Sequence, residues 1–261
     1  MSAVGTGCSA SPAVPESRPP LRTNWRKKAI LMFPILAVIF FLAAKVFIPV
    51  AYRHLVREDS LLETAQAIMY FLSFAVALGI AVRFRRRGLR LHALAYLVLS
   101  LGFLFIFFEE LSWGQRIFHI ASPDFFRVNN WQREITLHNI RGLNSLLHHA
   151  FLVVGLYGAM AWLFVRRMKA GPDSLLRFVV PDWYLSPYFF VTFGCYFYLE
   201  YAGPFAWKVL RIRALRVENF FTFKDQEPAE FLLALGFLLF VLVNERRSKG
   251  VLPREGDGNE K

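Results

Sequence analysis

Acidic residues, cysteines and familiar catalytic motifs are scarce in this 261-residue chain. It has 19 Asp and Glu against 31 Lys and Arg. Its two cysteines, Cys8 and Cys195, lie far apart with no C-x-x-C pairing, which argues against a disulfide framework and a thiolate zinc site. P-loop, G-x-S-x-G and H-E-x-x-H motifs are absent, as is an internal repeat of the transporter kind. The sequence signatures of NTPases, serine hydrolases, zinc proteases and repeat transporters are therefore missing.

Apolar residues, in contrast, are abundant. They make up 56% of the chain, 28 of them are Phe, and the mean hydropathy is +0.38. An ordinary soluble domain has about 45–50% apolar residues. The net charge of +12 fits either a nucleic-acid binder or a membrane protein with basic loops. The long apolar runs favour the membrane protein and argue against nucleic acid as a partner.

Six apolar runs predict six transmembrane helices. A span requires about 20 mainly apolar residues, and the last three runs reach that length only when polar residues at their ends are included. The predicted fold class is an all-α integral membrane protein, with about six spans in a domain over 29–245. Interfacial helices are added on the outer side, including one over 205–221. If the fifth and sixth runs are re-entrant, four spans remain. The spans are predicted near residues 29–50, 65–82, 91–108, 148–165, 183–201 and 228–244.

The positive charge predicts the orientation. Residues 1–28 are rich in Ser, Pro and Ala and are expected to form a flexible cytoplasmic tail, and 246–261 form a second tail. Nineteen of the 31 basic residues fall in these tails and in the connections after the second and fourth spans. Because basic loops stay inside, both termini are predicted to be cytoplasmic, in the cell inner membrane. Lys45, near the end of the first span, is expected to snorkel to the interface.

The outer-side connections collect five of the six histidines and most of the acids, and Glu109-Glu110 at the end of the third span is their strongest feature. Charged residues within hydrocarbon are costly. Adjacent residues lie about 100° apart on a helix, so one of the pair is expected to point into the bundle. Two interpretations remain open at this stage. One is a general base or metal ligand, and the other is an ion pair with Arg116, about two turns further on.

The segment before the fourth span carries a second polar group. If it is helical, its polar residues form one stripe, in which Glu134 and His138 lie at i, i+4. Such a pair could share a metal, or the acid could orient the imidazole, but an ordinary ion pair is slightly favoured. His148 and His149 open the fourth span, and at most one of them is a candidate ligand. The full stripe comprises Glu134, His138, Arg141, Ser145 and His148.

Three other acidic positions fit structural roles better or are weaker candidates. Glu63 follows Ser60 in a capping-box pattern ahead of the second span. The stretch 226–230 has a Pro at a first helical position and acids in the first turn, which is typical of a helix start. Glu200, at the end of the fifth span, has no local partner in the sequence and is a lesser candidate for the outer-side site.

Two motifs carry a resemblance to known proteins. With E-E-L-S-W-G-Q-R at 109–116, Q-x-E-x-x-L-H-N at 132–139 and Glu58-Asp59, the chain resembles a family of uncharacterised bacterial multi-pass membrane proteins. This resemblance implies the architecture and one grouped site, but no activity. Phe108-Glu109-Glu110 also resembles the first half of the E-E-x-x-x-R motif of CAAX-type intramembrane proteases. Arg116, however, lies two residues later than that motif places its arginine, and His138 and His148 match the family's histidines only approximately.

Two functional hypotheses follow. In the first, the protein is a non-catalytic membrane component whose outer site binds a lipid headgroup, an ion or a partner protein. In the second, it is a membrane hydrolase in which Glu109 or Glu110 activates water and His138 assists or holds a metal. Membrane lipid is the expected partner, and no particular cofactor or metal is predicted. The candidate catalytic residues are Glu109, Glu110 and His138, and the candidate binding residues are Asp59, Gln115, Arg116, Gln132, Glu134, Asn139 and His148.

Overall fold

A computed structural model describes residues 25–57, 60–171, 173–212 and 225–251. These residues contain helices and turns, and no strand beyond an isolated bridge between Asn130 and Ile140. The helices are α1 (Trp25–Phe47), α2 (Pro49–Val56), α3 (Leu61–Arg86), α4 (Arg90–Glu110), α5 (Gln115–Phe118), α6 (Asp124–Asn129), α7 (Asn144–Arg167), α8 (Leu175–Val179), α9 (Ser186–Phe197), α10 (Gly203–Lys208) and α11 (Glu227–Lys249).

Five helices in the described part of the chain are long and apolar enough to cross a membrane. They are α1, α3 (counted together with α2), α4, α7 and α11, which correspond to the first, second, third, fourth and sixth predicted spans. Each is bounded by the basic or polar residues that flank its apolar run. Helix α1 begins at Trp25, so the last residues of the predicted N-terminal tail are helical.

The fifth predicted span is a helix with a widened turn. Helix α9 continues into a π-helical turn, Tyr198–Ala202, and then into α10, with 12, 5 and 6 residues respectively. At about 1.5 Å per residue this helical backbone is roughly 35 Å long, enough for a hydrocarbon core of about 30 Å. The sequence predicts an interfacial helix over 205–221, but the helix ends at Lys208 and residues 209–212 are not helical, so the prediction is wrong for these four residues. Residues 213–221 lie outside the described part.

The long helices pack into a bundle with an aromatic core. Helix α3 packs against α4 and α11, and α9 packs against α7 and α11. The outward faces carry large exposed apolar side chains, such as Phe40 on α1, Val98 on α4 and Phe164 on α7. Exposing so continuous an apolar surface is unfavourable in water but favourable against lipid tails. The protein is therefore an all-α membrane protein. The fully buried core includes Phe84, Tyr96, Phe103, Phe178, Tyr188 and Phe189.

One end of the bundle carries clusters of Lys and Arg, and we call it the basic end. It comprises the C-terminal ends of α3, α7 and α11, the N-terminal end of α4 and the connection 168–185, and these segments are joined by side-chain contacts. The side chains of Tyr96 and Asn244 both donate to the backbone oxygen of Phe178, at 2.7 and 3.0 Å. Arg247 pairs with Asp182 at 2.6 Å. The Glu and His residues of the predicted outer site lie at the opposite helix termini, which we call the acidic end.

Candidate functional site

Glu109, the last residue but one of α4, is the centre of the site. Its side chain is 5% exposed and accepts four hydrogen bonds. Trp113 Nε1 donates to Oε1 at 2.6 Å. Oε2 accepts from the backbone nitrogens of Leu137 and His138, at 2.7 and 3.1 Å, and contacts His138 Nδ1 at 3.1 Å. Hydrogen bonds from N–H groups stabilise the charged form of a carboxylate. Glu109 therefore joins the end of α4 to a loop almost thirty residues further along the chain.

That loop, residues 130–143, is not helical, so the predicted helical stripe is wrong. Its two arms are joined by hydrogen bonds from Trp131 N to Asn139 O (3.0 Å) and from Arg141 N to Asn129 O (2.8 Å). Inside it, the buried Asn130 donates to both Thr136 oxygens. Asn and Thr side chains compete with helical hydrogen bonding in this way. Helix α7 starts only at Asn144, after Gly142 with a φ of +88°.

Glu134 and His138 have different partners at the end of α4. Ser112 Oγ donates to Glu134 Oε2 at 2.6 Å, so the predicted i, i+4 pair of Glu134 and His138 is replaced by separate partners. Gln115 holds the neighbouring residues, because its Oε1 accepts from Ile135 N at 2.7 Å and its Nε2 donates to Ser122 Oγ at 2.6 Å. Ser112, Gln115 and Glu134 are thus brought into one group with Glu109.

The backbone after α4 takes a strained path. Ser112, Trp113 and Gly114 are all left-handed, with φ of +48°, +52° and +79°. Such a conformation costs a non-glycine residue about 1–3 kcal/mol and persists only where surrounding contacts hold it. Here it turns the chain back so that the indole of Trp113 stacks on Phe108 and reaches Glu109. His119 and Arg133 are also left-handed. We call the segment between α4 and α7, residues 111–143, the cap.

The imidazole of His138 lies between an acid and an amide. Its Nδ1 contacts Glu109, and its Nε2 lies 2.9 Å from Asn139 Nδ2. An amide nitrogen only donates, so Nε2 accepts and Nδ1 carries the proton that it donates to Glu109. Asn139 also donates to Gln132 Oε1. The ring is 39% exposed and thus reachable from outside. Four predicted site residues, Glu109, Gln132, His138 and Asn139, therefore form one connected set.

His148 belongs to a different group. It contacts Glu200, which the widened turn after α9 carries, and its ring lies 5.0 Å from that of Tyr196. The hydroxyl of Tyr196 donates to Glu230 at the start of α11. The structure brings the lesser candidate Glu200 to His148, and it gives no contact between His148 and Glu109. His149 contacts the Tyr201 hydroxyl at 2.8 Å.

Several buried polar residues of the acidic end were not among the predicted site residues. Gln66 on α3 is 1% exposed and donates to Glu227 Oε2 at 2.9 Å. Tyr70, one turn further, lies within electrostatic range of Glu110 and Glu230. Glu109 faces the loop, and Glu110, half-buried, lies near Tyr70 of α3, so the two adjacent acids have different surroundings. The signal available was the Glu63, Gln66 and Tyr70 spacing on one face of an apolar helix.

The structural interpretations of two sequence patterns are confirmed. Ser60 Oγ accepts a hydrogen bond from Glu63 N at 3.3 Å, which caps α3. Helix α11 starts at Glu227, with a proline directly after it. Glu227 is nevertheless almost fully buried and bound to Gln66, so its role is larger than that of a helix-terminal charge.

Lys45 has a specific partner that the sequence did not indicate. Its Nζ contacts Asp225 Oδ2 at 2.6 Å, and Tyr52 donates to the other oxygen of that carboxylate at 2.9 Å. Asp225 is nearly buried, so the lysine pairs with a specific acid, and its snorkelling to the interface stays a prediction. The acid lies 180 residues away in the sequence, and no local pattern links the two.

Two of the predicted site residues fall outside the part of the chain that the structure describes. Asp59 and the side chain of Arg116 lie outside the described residues, so the proposed pairing of Arg116 with a glutamate stays a prediction. Within the described part of the chain, no group of three or more His, Cys, Asp or Glu residues could hold a metal ion.

Comparisons of this chain with protein-family models, with curated proteins and with solved structures give no match. The resemblances that the two sequence motifs suggest therefore stay predictions, and functional inference rests on the geometry of the site.

Proposed function

We propose that the protein is a multi-pass protein of the cell inner membrane, with both termini cytoplasmic, whose acid- and His-bearing cap binds a lipid headgroup on the outer side. The orientation is supported by the separation of a basic end from an acidic end, since 19 of the 31 Lys and Arg fall in the segments predicted to be inside. In this topology six helical segments cross the membrane, the fifth being the α9–α10 helix.

The observation that carries the binding function is the set of contacts around Glu109. All four donors that reach this carboxylate come from the cap itself, so Glu109 holds the cap in one shape. The same contacts leave one edge of His138 exposed beside the amide of Asn139. Groups held in fixed positions by buried partners bind a polar ligand with little loss of conformational entropy.

Exposed aromatic residues around the cap favour a lipid headgroup as the ligand. Trp113, Phe118, Phe125 and Trp131 are all exposed, and Trp131 is 65% exposed with Arg141 stacked 4.6 Å from its ring. Trp and other aromatic residues with basic neighbours are typical of the membrane–water interface. A cap in that layer meets lipid headgroups at far higher concentration than any soluble ligand.

Cysteine labelling tests the orientation. Asp124→Cys in the acidic-end loop and Gly171→Cys in the basic-end connection, each in a Cys8→Ser/Cys195→Ser background, form a matched exposed pair. We expect a membrane-impermeant maleimide to label position 124 in spheroplasts and position 171 only after permeabilisation. The reverse pattern would overturn the topology, and labelling of both positions in intact cells would overturn the spans.

Lipid analysis tests the ligand. We expect protein purified in mild detergent to retain a lipid class enriched over the bulk membrane, and His138→Ala or Asn139→Ala to lower that lipid-to-protein ratio severalfold. Arg127→Gln, an exposed change in the same cap, is the matched control and is expected to retain it. A ratio unchanged in both site variants would reject a lipid headgroup, and a retained metal or protein would assign the site to that ligand.

The contact between Glu109 and His138 also favours one alternative, a membrane hydrolase. In that reaction His138 Nε2 leaves Asn139 and accepts a proton from water, the resulting hydroxide attacks an ester or amide carbonyl, and Glu109 orients and stabilises the imidazolium. The tetrahedral intermediate then collapses, the bond to the leaving alkoxide or amine breaks, and the imidazolium gives its proton to that leaving group. Glu109 is then a positioning residue, because its oxygens are already occupied. Mass spectrometry of total membrane lipid and of a lipidated peptide after incubation tests this. Products formed by wild type and abolished in His138→Ala support hydrolysis, and their absence rejects it.

A further inference from the structure

A polar cavity of about 620 Å³ opens at the basic end, far from the acidic-end cap. It lies between the C-terminal end of α7 and the connection 170–183. Three basic residues line it, Arg166, Lys169 and Arg177, and Trp162 and Trp183 stand at its walls. Its volume is within the range of small-molecule sites, which is about 300–1,000 Å³.

The positive charge in this cavity is not balanced by acids among the described residues. The one acid in its wall, Asp182, is already paired with Arg247 at 2.6 Å. In the described part of the chain, no carboxylate contacts the side chains of Arg166, Lys169 or Arg177. All three are exposed to the opening. The cavity therefore presents three cationic donors to an anion, and guanidinium groups match phosphate oxygens well.

Backbone strain occurs at the same place. Lys169 has a φ of +49°, in the turn that follows α7. A lysine does not prefer this left-handed conformation, whose cost is about 1–3 kcal/mol. Such strain clusters at ligand-binding positions, and here it belongs to one of the three residues that line the cavity.

A neighbouring apolar cleft distinguishes a lipid from a free anion. This cleft, of about 240 Å³, lies between α4 and α7 and is lined by residues such as Val98, Leu99 and Val154. It shares one lining residue, Pro181, with the basic cavity. A phospholipid has the same arrangement, with a charged headgroup next to an apolar chain. Inorganic phosphate has no apolar part that could occupy the cleft.

We propose that this cavity binds the phosphodiester headgroup of an anionic phospholipid, with part of an acyl chain in the cleft between α4 and α7. Two tryptophans line the cavity, and the amphipathic ring of Trp favours the membrane interface. Basic pockets between helices at the cytoplasmic side of a bundle are suited to such lipids. This site is separate from the cap around Glu109 and does not depend on what that cap binds.

Native mass spectrometry of the full chain in detergent tests the headgroup. Short-chain phosphatidylglycerol is the probe, and phosphatidylcholine of the same chain length is the zwitterionic control. We expect preferential binding of phosphatidylglycerol, weakened about fivefold by each of Arg166→Gln, Lys169→Gln and Arg177→Gln, since a basic residue near a membrane surface contributes about 1 kcal/mol. Arg167→Gln, next to Arg166 but outside the cavity, is the matched control and is expected to bind like wild type.

A second pair of variants tests the acyl chain. Val154→Trp fills the cleft and is expected to weaken phosphatidylglycerol binding severalfold, whereas Val153→Trp, which faces outward next to it, is expected to leave binding unchanged. Inorganic phosphate and glycerol phosphate are added as competitors.

Three outcomes would overturn the proposal. Equal binding of the two lipids would reject headgroup recognition. An equal loss in Arg167→Gln would reduce the effect to general surface charge. Competition by millimolar phosphate, with no effect of Val154→Trp, would assign the cavity to a free anion. If a variant does not yield folded protein by size exclusion, the remaining two of the three single changes decide the headgroup question.

Discussion

Replacing Glu109 by Gln tests whether this residue holds the cap together. An amide oxygen in the place of Oε2 can still accept the three hydrogen bonds from Leu137 and His138, but without the negative charge. Loss of the charge weakens each bond by about 1 kcal/mol. The amide nitrogen then faces Trp113 Nε1, so two donors meet and a bond to a charged acceptor of about 1.5–3 kcal/mol is lost.

Neighbouring interactions are not additive, and the cap can open to let water bind the freed groups. We therefore expect a loss of about 3–5 kcal/mol in the free energy of cap opening. Hydrogen exchange of the amides of Leu137 and His138 measures this directly, and they should exchange much faster. Denaturant unfolding in detergent measures any effect on the whole bundle, which is expected to be smaller.

The matched control is Asp124→Asn in the same cap. Its carboxylate pairs with Arg127 on the exposed surface of a short helix, and such pairs contribute at most a few tenths of a kcal/mol. If exchange at Leu137 and His138 is as slow in Glu109→Gln as in Asp124→Asn, Glu109 does not hold the cap, and the argument for a preformed binding surface fails with it.

Two further predictions concern the bundle. In Gly155→Ala, the added Cβ would lie 2.8 Å from the backbone nitrogen of Phe193, so α7 and α9 must separate. We expect the free energy of unfolding, measured with denaturant, to fall by about 1–3 kcal/mol. Gly79→Ala, with open space around the added Cβ, is the control and is expected to be neutral or slightly stabilising. In Lys45→Met the buried Asp225 loses its cation, and we expect a drop of several degrees in melting temperature, with partial recovery in Lys45→Met/Asp225→Asn. Equal melting of the two glycine variants, or no recovery in the double variant, would contradict these assignments.

The long helices were predictable because their signal is local. An apolar run with basic residues at one end is sufficient to predict a helix that lipid can surround, and α3, α4 and α11 match the predicted runs to within a few residues at most ends. The different surroundings of Glu109 and Glu110 were also predictable, because helix geometry fixes the angle between adjacent residues.

The cap was not predictable in the same way. The residues from Asn130 to Asn139 fit a helical spacing, yet they form a loop because Glu109, far away in the sequence, accepts their backbone donors. The pairing of Lys45 with Asp225 is likewise a tertiary contact between distant segments. Gln66 carries a usable local signal, because a strongly polar residue within an apolar helix indicates a buried polar partner.

The widened turn at Tyr198–Ala202 bears on how this chain can vary in length. A π-turn contains one residue more than the α-helical turn in its place, so deleting one residue there would let α9 and α10 join as a regular α-helix. The residues after the turn would keep their orientation, because the deletion is absorbed within the turn, but Glu200 lies inside it and would shift relative to His148. The helical backbone thus tolerates deletion of a single residue at this point, whereas the contact between Glu200 and His148 does not. Among sequences that share this helix, the presence or absence of that one residue is expected to vary together with the histidine.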